Sequence, residues 1–437
     1  MSARVPVMAY VDVIKRRLAV LALRLGGAKA LGFATACLHV KRRFRSRAKP
    51  TVLVLTQPLF EKDITEIDRE GRFNWFTLPE PKLSRIQKLI LPMEICRQRF
   101  FFESVNDAKY QSSWRRAEEF GAGLIGALRL LQPIDAVLTA HIDYWQDEGL
   151  RRACARLGIP FLVLCHENYN IPRTYRARRQ EFVDLGFRFG GTAVATFSEH
   201  IRDMFVAGGI CSPDRVVVTG PPRYDGWKRV TNSPDRRIVL LSFLNPQKYY
   251  ASGDFFFAVL DALRRIVDRC PGWELVVKCK NHRDEAAIAG YVGQAPSVRV
   301  GYDMPLPELL SSATVIVGSN SFSMVESLLS GAAMIVPAPG DQSGDPETMM
   351  FDPDDGLVAR CITFAASPEA LEQQVQAAVH AGPPTVDRVA RLALLQRYVC
   401  YSERETSARR VVEFMQSFIK PIATASVCSA EQAGASS

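Results

Sequence analysis

The sequence predicts an α/β protein built from two doubly wound, Rossmann-like domains that face each other across a cleft. The first reason is length, because 437 residues exceed the roughly 250–300 at which a single hydrophobic core stops growing. The second is the alternation of short apolar runs with helical stretches, which is typical of βαβ units. The third is that this alternation restarts after a polar stretch rich in turn residues at positions 221–237.

The first half of the chain contains apolar runs typical of buried parallel strands. They occupy residues 51–56, 136–139, 161–164, 193–197 and 216–219. A helical stretch over 147–157 lies between the second and third runs, and the sequence Gly158-Ile-Pro160 ends it. We therefore predict a first Rossmann-like domain over 51–225, in which residues 57–120 are the least regular part.

The second half repeats the pattern. Its predicted strands occupy 238–242, 275–278, 314–317 and 334–337, with helices over 255–269, 307–312 and 323–330. This alternation predicts a nucleotide-binding domain over 236–385. A helical pattern over 386–420 predicts one C-terminal helix, and the small, polar residues of 421–437 predict a disordered tail.

Charge is concentrated at the N-terminus. Residues 1–50 contain twelve Lys and Arg and a single acid, Asp12. The net positive charge of this segment therefore exceeds the net charge of +9 of the whole chain. The remainder is therefore slightly acidic, and we do not expect a nucleic-acid partner. Ten cysteines without a Cys-x-x-Cys pair, and no cleavable signal peptide, indicate a reducing cytoplasm and no metal site.

The basic segment is also amphipathic. Its apolar residues recur at helical spacing, at Ile14, Leu18, Leu21 and Leu25, with Lys15, Arg16, Arg17 and Arg24 between them. Arg24 and Lys29 interrupt the apolar sequence, which argues against a transmembrane span. Residues 1–50 therefore predict a peripheral helix on an anionic membrane surface, on the inner face of the cell membrane. The alternative is a helix packed on the domain, followed by a solvated basic linker.

Polar residues that directly follow the apolar runs are the candidate site residues, because ligands of open parallel sheets bind beyond the carboxyl ends of the strands. Asp143 follows one strand of the first half, and His166 and Glu167 follow the next. These three are our candidates for the catalytic acid and base. Structural alternatives remain open: Asp143 is also placed to cap a helix, and His166 to bond the backbone at a strand end.

The candidate donor-binding residues lie mainly in the second half. The strand at 314–317 leads through small polar residues into a helix, where free N–H groups and the hydroxyls of Ser321 and Ser323 are suited to a diphosphate. Glu326 follows one turn later and is placed to accept bonds from ribose hydroxyls. The candidate phosphate-neutralising cations are Arg223, Lys278 and Lys280. A helix cap and solvated charges are the ordinary alternatives.

Taken in order, these segments resemble the GT-B superfamily. The resemblance rests on Ser198-Glu-His with Gly208-Gly-Ile, the run from Val217 to Asp225, Lys278 to His282, and Ser321 to Glu326 before Gly331. Within that superfamily the chain is similar to bacterial surface-polysaccharide glycosyltransferases and to UDP-N-acetylglucosamine 2-epimerases. The resemblance implies a nucleotide on the C-terminal domain with Glu326 at the ribose, an acceptor on the N-terminal domain, and no metal ion or other cofactor.

The similarity to the epimerases is strongest around Asp143, around Gly158 to Glu167, and at Glu181, where the epimerases carry carboxylates that handle the sugar. The chain departs from them where Phe322 and Ser323 replace a Gly-Gly pair and where residues 242–249 replace a His-Arg segment. We therefore predict a metal-independent glycosyltransferase that transfers a sugar from a nucleotide sugar to a cell-envelope polysaccharide or lipid-linked acceptor. The alternatives are a sugar-nucleotide epimerase, a CDP-glycerol-type glycerophosphotransferase and a non-catalytic binding protein.

Overall fold

The computed structural model describes residues 4–165, 167, 169–244, 253–337, 345–382 and 384–419. They form two sheets, one from each half of the chain, with helices packed on both faces. The predicted disordered tail at 421–437 lies outside the described residues.

The first sheet has seven strands in the order β1-β3-β2-β4-β5-β6-β7. The strands are β1 (Lys41–Arg43), β2 (Thr51–Thr56), β3 (Asn74–Pro79), β4 (Ala136–Thr139), β5 (Phe161–Leu164), β6 (Ala193–Thr196) and β7 (Val216–Val218). The helices are α1 (Arg4–His39), α2 (Pro58–Arg69), α3 (Glu80–Gln87), α4 (Gln98–Asn106), α5 (Gln111–Arg129), α6 (Trp145–Leu157), α7 (Pro172–Asp184) and α8 (Glu199–Ala207). All neighbouring strands are parallel except the edge strand β1.

The second sheet has six parallel strands in the order β10-β9-β8-β11-β12-β13. The strands are β8 (Arg237–Leu241), β9 (Glu274–Lys278), β10 (Val298–Gly301), β11 (Val315–Val317), β12 (Ala333–Pro337) and β13 (Ile362–Ala365). The helices are α9 (Gly253–Arg269), α10 (His282–Val292), α11 (Leu306–Ser311), α12 (Phe322–Ser327), α13 (Gly356–Ala359) and α14 (Pro368–Ala381). The predicted α/β class with two parallel-sheet units is therefore confirmed.

The C-terminal helix predicted over 386–420 is instead two helices, α15 (Arg388–Val399) and α16 (Ser407–Phe418). The break begins at Cys400, whose φ of 46° lies in the left-handed region and ends α15. Two oxygens of Asp225 accept bonds from the backbone N–H groups of Ser407 and Ala408, which caps α16. Helix α15 packs on the second core, whereas α16 returns to the first.

Helix α1 is sharply kinked at Gly26 and Gly27, where Gly27 has a φ of 67°. Residues near both ends of α1, Asp12 and His39, line the same cavity, so the two halves fold back beside each other as a hairpin. By length and composition Asp12–His39 is long and apolar enough to cross a membrane, with a mean hydropathy of 1.4. The kink divides that stretch into two pieces, each too short to span a bilayer.

The second half of α1 is part of the first domain. A Cβ added to Gly32 would lie 2.0 Å from the carbonyl oxygen of Phe120, and one on Gly123 would lie 2.0 Å from that of Lys29. The backbones of α1 and α5 therefore touch, and Leu31 is fully buried beside this contact. The first half is different, because its stripe of Ile14, Leu18, Leu21 and Leu25 is between 43% and 80% exposed. The second half of α1 is therefore packed on the domain, as the alternative to membrane contact predicted, whereas the first half is exposed.

Candidate functional site

A cleft of about 1160 Å³ lies between the two sheets. Helix α2 and the connection at 223–230 line one side, and the carboxyl ends of β8 and β9 with the start of α12 line the other. Five of the six predicted donor-binding residues line it, namely Arg223, Lys278, Lys280, Ser321 and Ser323. These five residues lie up to 100 positions apart in the sequence, and the fold brings them to one cavity.

Lys278 ends β9 and is half-buried on the second-domain side of the cleft. Its Nζ donates to the carbonyl oxygens of Cys279, at 3.0 Å, and Tyr302, at 2.5 Å, and lies 4.9 Å from the centre of the Tyr302 ring. Burial lowers the pKa of Lys278, and the charge of Lys62 across the cleft lowers it further. These partners are neutral groups, so no bonded acid compensates the charge of Lys278. A phosphate in the cleft would compensate it.

The start of α12 presents small polar groups to the cleft. Ser321 precedes the helix in an extended conformation, and its side chain does not cap the N–H groups of the first turn. Behind it Asn320 fixes the loop, because its side chain donates to the carbonyl oxygen of Thr348 and accepts from the N–H of Met350. The hydroxyls of Ser321 and Ser323 therefore stand on a loop held from behind, and both residues line the cleft.

Glu326 points elsewhere in this structure. Among the described residues it is not one of those that line the cleft, and its Oε1 accepts a bond of 2.9 Å from the indole Nε1 of Trp227. Burial raises the pKa of Glu326, while the Trp227 bond and the charge of Arg223 oppose the rise. The ribose contact of Glu326 stays a prediction, and one carboxylate oxygen is already engaged.

Arg223 is paired with an acid. Its Nη1 lies 2.8 Å from Oδ2 of Asp63, and its backbone N–H donates to Oδ1 of the same residue. The guanidinium also lies over the rings of Phe197 and Phe322, which come from different domains. Asp63 is fully buried, which raises its pKa, and Arg223 opposes that rise. The charge of Arg223 is therefore already balanced, which weakens its predicted role as a phosphate ligand.

Asp143 belongs to a second group of charged residues, at the carboxyl end of β4. It is buried, and Arg178 of α7 bonds both Asp143 and Glu181. Burial alone would lower the pKa of Arg178, but these carboxylates raise it above its ordinary value. The guanidinium of Arg178 thus bonds Asp143 and Glu181, two of the three carboxylates that the resemblance to the epimerases singled out.

Glu167 lies beside this group, with its side chain 40% exposed. Its Oε1 is 3.0 Å from Nδ1 of His141, a buried ring stacked on Tyr144 at 3.6 Å between centroids. Glu167 is therefore an accessible carboxylate next to an imidazole held in place, an arrangement suited to proton transfer. The candidate His166 lies outside the described residues.

Two further acids, Asp147 and Glu80, lie near His141, and each accepts a hydrogen bond from a neutral side chain. The hydroxyl of Thr139 donates to Oδ2 of Asp147 at 2.7 Å, and Gln146 donates to Glu80 at 2.5 Å. Burial raises the pKa of Asp147 to about 7, although the Thr139 bond opposes the rise. Asp147 was predicted only as part of a helix, and its buried carboxylate is bonded by Thr139 at the end of β4.

The two groups do not share one cavity: of the described residues, Asp143 and Glu167 do not line the cleft. Helix α7 nevertheless touches both domains. Its Arg173 pairs with Asp345 at 2.5 Å, and its Arg176 pairs with Glu347. The helix that holds Asp143 and Glu181 is thus tied by two ion pairs to the second domain, close to the cleft.

Sequence reasoning missed two residues of the site. Lys62 on α2 lines the cleft opposite Lys278, and no motif surrounds it. Arg178 lies in an arginine-rich helix whose only signal was that composition, Arg173 to Arg179. In the described part of the chain, no group of three or more His, Cys, Asp or Glu is arranged to hold a metal ion. That metal plays no part in the activity stays a prediction.

No protein-family model matches the sequence, and no curated protein is similar to it in sequence. Solved structures are similar in fold. A protein from Listeria monocytogenes described as a UDP-N-acetylglucosamine 2-epimerase is 14% identical, with a TM-score of 0.52 over 86% of this chain and 98% of that chain. The UDP-bound MnaA of S. aureus is 12% identical, with a TM-score of 0.50 over 86% and 98%.

The glycosyltransferase SnogD of Streptomyces nogalater is 18% identical, with a TM-score of 0.47 over 85% of this chain and 100% of that chain. The predicted fold of two Rossmann-like domains is confirmed by the two sheets and by the structures from L. monocytogenes and S. aureus.

Proposed function

We propose that this protein is a glycosyltransferase that moves a sugar from a nucleotide sugar to a cell-envelope polysaccharide or lipid-linked acceptor. The observation that carries the proposal is the cleft in which Lys62, Lys278 and Lys280 meet the hydroxyls of Ser321 and Ser323. Cations and hydroxyl donors between two sheets are suited to a diphosphate, and the cavity of about 1160 Å³ has room for a nucleotide sugar. That MnaA of S. aureus was solved with UDP supports the same ligand class.

The proposed reaction uses the two sides differently. Lys278 stabilises the negative charge that grows on the departing diphosphate, because it carries a positive charge that no bonded acid offsets. Glu167 acts as general base toward the acceptor hydroxyl, with His141 holding its carboxylate. No step in this proposal needs a metal ion. The ion pairs of α7 with the second domain favour a closed arrangement in which the two sides approach each other.

The test is nucleotide release from a panel of donors, chosen by thermal shift among UDP, CDP, CMP and GDP sugars. A glycosyltransferase releases nucleotide only when an acceptor is present, so we expect release with membrane or polysaccharide extract and none without it. A donor that stabilises the protein but is turned over without acceptor would contradict the proposal. Release of CMP from CDP-glycerol would indicate the glycerophosphotransferase alternative.

Sugar-nucleotide epimerisation is the second candidate, and one observation favours it. Arg178 gathers Asp143 and Glu181, and Glu167 lies nearby beside His141, so the carboxylates that the epimerase resemblance singled out do cluster. An epimerase converts a UDP sugar with no acceptor present, and that product is detected by chromatography. The replacement of Gly-Gly by Phe322 and Ser323 favours transfer over epimerisation.

We also propose that the protein works at the inner face of the cell membrane. The exposed stripe on the first half of α1 lies among Arg16, Arg17 and Arg24, and this combination favours anionic lipid. Part of the basic cluster is engaged within the fold, because Arg43 and Arg45 pair with Asp68. The membrane contact therefore rests mainly on α1. Sedimentation with anionic vesicles tests it.

A further inference from the structure

Helix α7 begins on one core and ends in the other. Ile171, which precedes the helix, packs against the second core, whereas Phe182 near its end is fully buried in the first core. Between them, Tyr175 packs on the first core and stacks on His200 of α8, at 4.0 Å between ring centres. Helix α7 therefore belongs to the first domain and reaches the second domain at its N-terminal end.

The charged side chains of α7 lie on two sides of the helix. Arg173 and Arg176 pair with the two acids of residues 345–347, in the second domain. Side chains advance by about 100° per residue along a helix, so Arg178 lies about 140–160° around α7 from both of these arginines. Arg178 bonds Asp143 in the first domain. One helix thus holds the second domain on one side and the carboxylates of the first domain on the other.

The partner segment in the second domain is bonded to the loop that precedes α12. Oδ2 of Asp345 pairs with Arg173 at 2.5 Å, and Oδ1 of Asp345 caps the short turn that follows it. In that turn the carbonyl oxygen of Thr348 accepts from the side chain of Asn320 at 2.6 Å. Asn320 directly precedes Ser321, which lines the cleft. A series of bonds therefore links α7 to the loop that presents hydroxyls to the cleft.

The proposed reaction depends on the distance between the two domains. Among the described residues Ser321 lines the cleft and Glu167 does not, so the proposed general base and the proposed donor site lie on different domains. A misplacement of about 1 Å between reacting groups can lower a rate about 100-fold. The ion pairs of α7 are partly exposed and contribute little to folding stability. We therefore expect them to act on the arrangement of the domains rather than on the fold.

We infer that Arg173 and Arg176 are positioning residues, which hold the first-domain side of the site at a fixed distance from the Ser321 loop. The inference rests on the proposed function, in which Glu167 is the general base and the cleft binds the donor. Neither arginine is among the described residues that line the cleft. Reversing their charge should therefore lower turnover and leave donor affinity unchanged.

The first experiment exchanges the charges of one ion pair. Arg176→Glu and Glu347→Arg are made singly and together, and turnover and donor affinity are measured for each variant. We expect each single variant to lose turnover about tenfold with donor affinity within about twofold, and the double variant to return to within about twofold of wild type. Arg202→Glu is the matched control, since Arg202 pairs with Glu199 inside α8, and it should match wild type. A double variant no more active than the single variants would overturn the inference.

The second experiment needs no turnover. Small-angle X-ray scattering gives the radius of gyration of wild type, of Arg173→Glu/Arg176→Glu and of the Arg202→Glu control, all without ligand. We expect a larger radius for the α7 variant, and an increase for wild type at about 1 M sodium chloride, which screens exposed ion pairs. Equal radii for the α7 variant and the control would overturn the inference. If wild type transfers no sugar but the radii change as expected, the proposed function fails and the role of these ion pairs in holding the domains stands.

Discussion

The two sides of the site differ in how their cations are balanced. On the first-domain side Arg223 is paired with Asp63, and Arg178 with Asp143 and Glu181. On the second-domain side Lys278 is bonded to carbonyl oxygens. A cation that balances a buried acid contributes to the fold, whereas one that faces only neutral groups is available to a ligand. The difference indicates that Arg223 and Arg178 hold the geometry of the first side, whereas Lys278 is placed to receive the charge of a ligand.

Glu167→Gln should have the largest effect on activity. Its carboxylate is the accessible acid of the first side, so we expect turnover to fall about 10²–10⁴-fold if it is the general base. Donor affinity, measured by calorimetry, should stay within about twofold because Glu167 does not line the cleft. Glu181→Gln is the matched control and should cost less. A variant that keeps a tenth of wild-type turnover would remove Glu167 from this role and make Asp143 the next residue to test.

Arg223→Ala should lower the free energy of unfolding by about 3 kcal/mol, because it leaves the buried carboxylate of Asp63 without its cation. Adding Asp63→Asn should recover part of the loss. Urea unfolding of both variants measures it, with Lys280→Ala, an exposed cation of the same cleft, as the control at under about 0.5 kcal/mol. If Arg223→Ala were as stable as the control but bound donor poorly, the pairing would be secondary and the phosphate role would return.

Asp147→Asn should make the protein more stable at neutral pH. Its pKa in the folded state is raised to about 7, above its value of 3.8 in an unfolded chain. The stability it contributes is therefore full below about pH 4 and is lost as pH rises toward 7. We expect the Asn variant and the wild type to match at pH 4 and to differ by about 3 kcal/mol at pH 7.5. Parallel stability curves across that range would show that Asp147 ionises normally.

Lys278→Met should lower turnover about tenfold more than it weakens donor binding, because charge on the leaving diphosphate grows in the transition state. Arg229→Met is the matched control, since Arg229 lines the same cleft but is paired with Glu66 at 2.6 Å. Steady-state kinetics and calorimetry on both variants separate the two effects. An equal loss of turnover in both variants would mean that the cleft acts through its overall charge. It would contradict the difference in charge balance between Lys278 and the paired arginines.

The strands that could be predicted from the sequence are continuous apolar runs, most of which are buried on both faces. Four strands were not predicted, β1, β3, β10 and β13, and the last two are the partly exposed edge strands of the second sheet. All three residues of β1 are exposed, and its sequence Lys41-Arg42-Arg43 is suited to a charged sheet edge rather than to a core. β3 begins at Asn74, whose side chain is buried and bonds the backbone at Arg45, Ser46 and Lys49, a role visible only after folding.

The candidate site could be predicted in position but not in pairing. Lys278 and Asp143 each lie at the carboxyl end of a strand, as predicted, but in different sheets, and of the two only Lys278 lines the cleft. Arg223 and Asp63 lie 160 positions apart, so nothing near either residue reveals the ion pair. The same holds for Glu326 and Trp227, whose hydrogen bond engages one oxygen of the carboxylate predicted to contact the ribose.

The return of α16 sets an order on the synthesis of this protein. Val411, Val412 and Phe414 pack into the first core, beside strands made from residues 51–218. The ribosome makes these three residues only after the whole second sheet, so the first domain cannot complete its core while its own sequence is being translated. The apolar surface that α16 covers in the folded protein stays exposed during that interval. A nascent chain stopped before Ser407 would leave that apolar surface permanently exposed, and chaperones that recognise apolar surfaces would bind it.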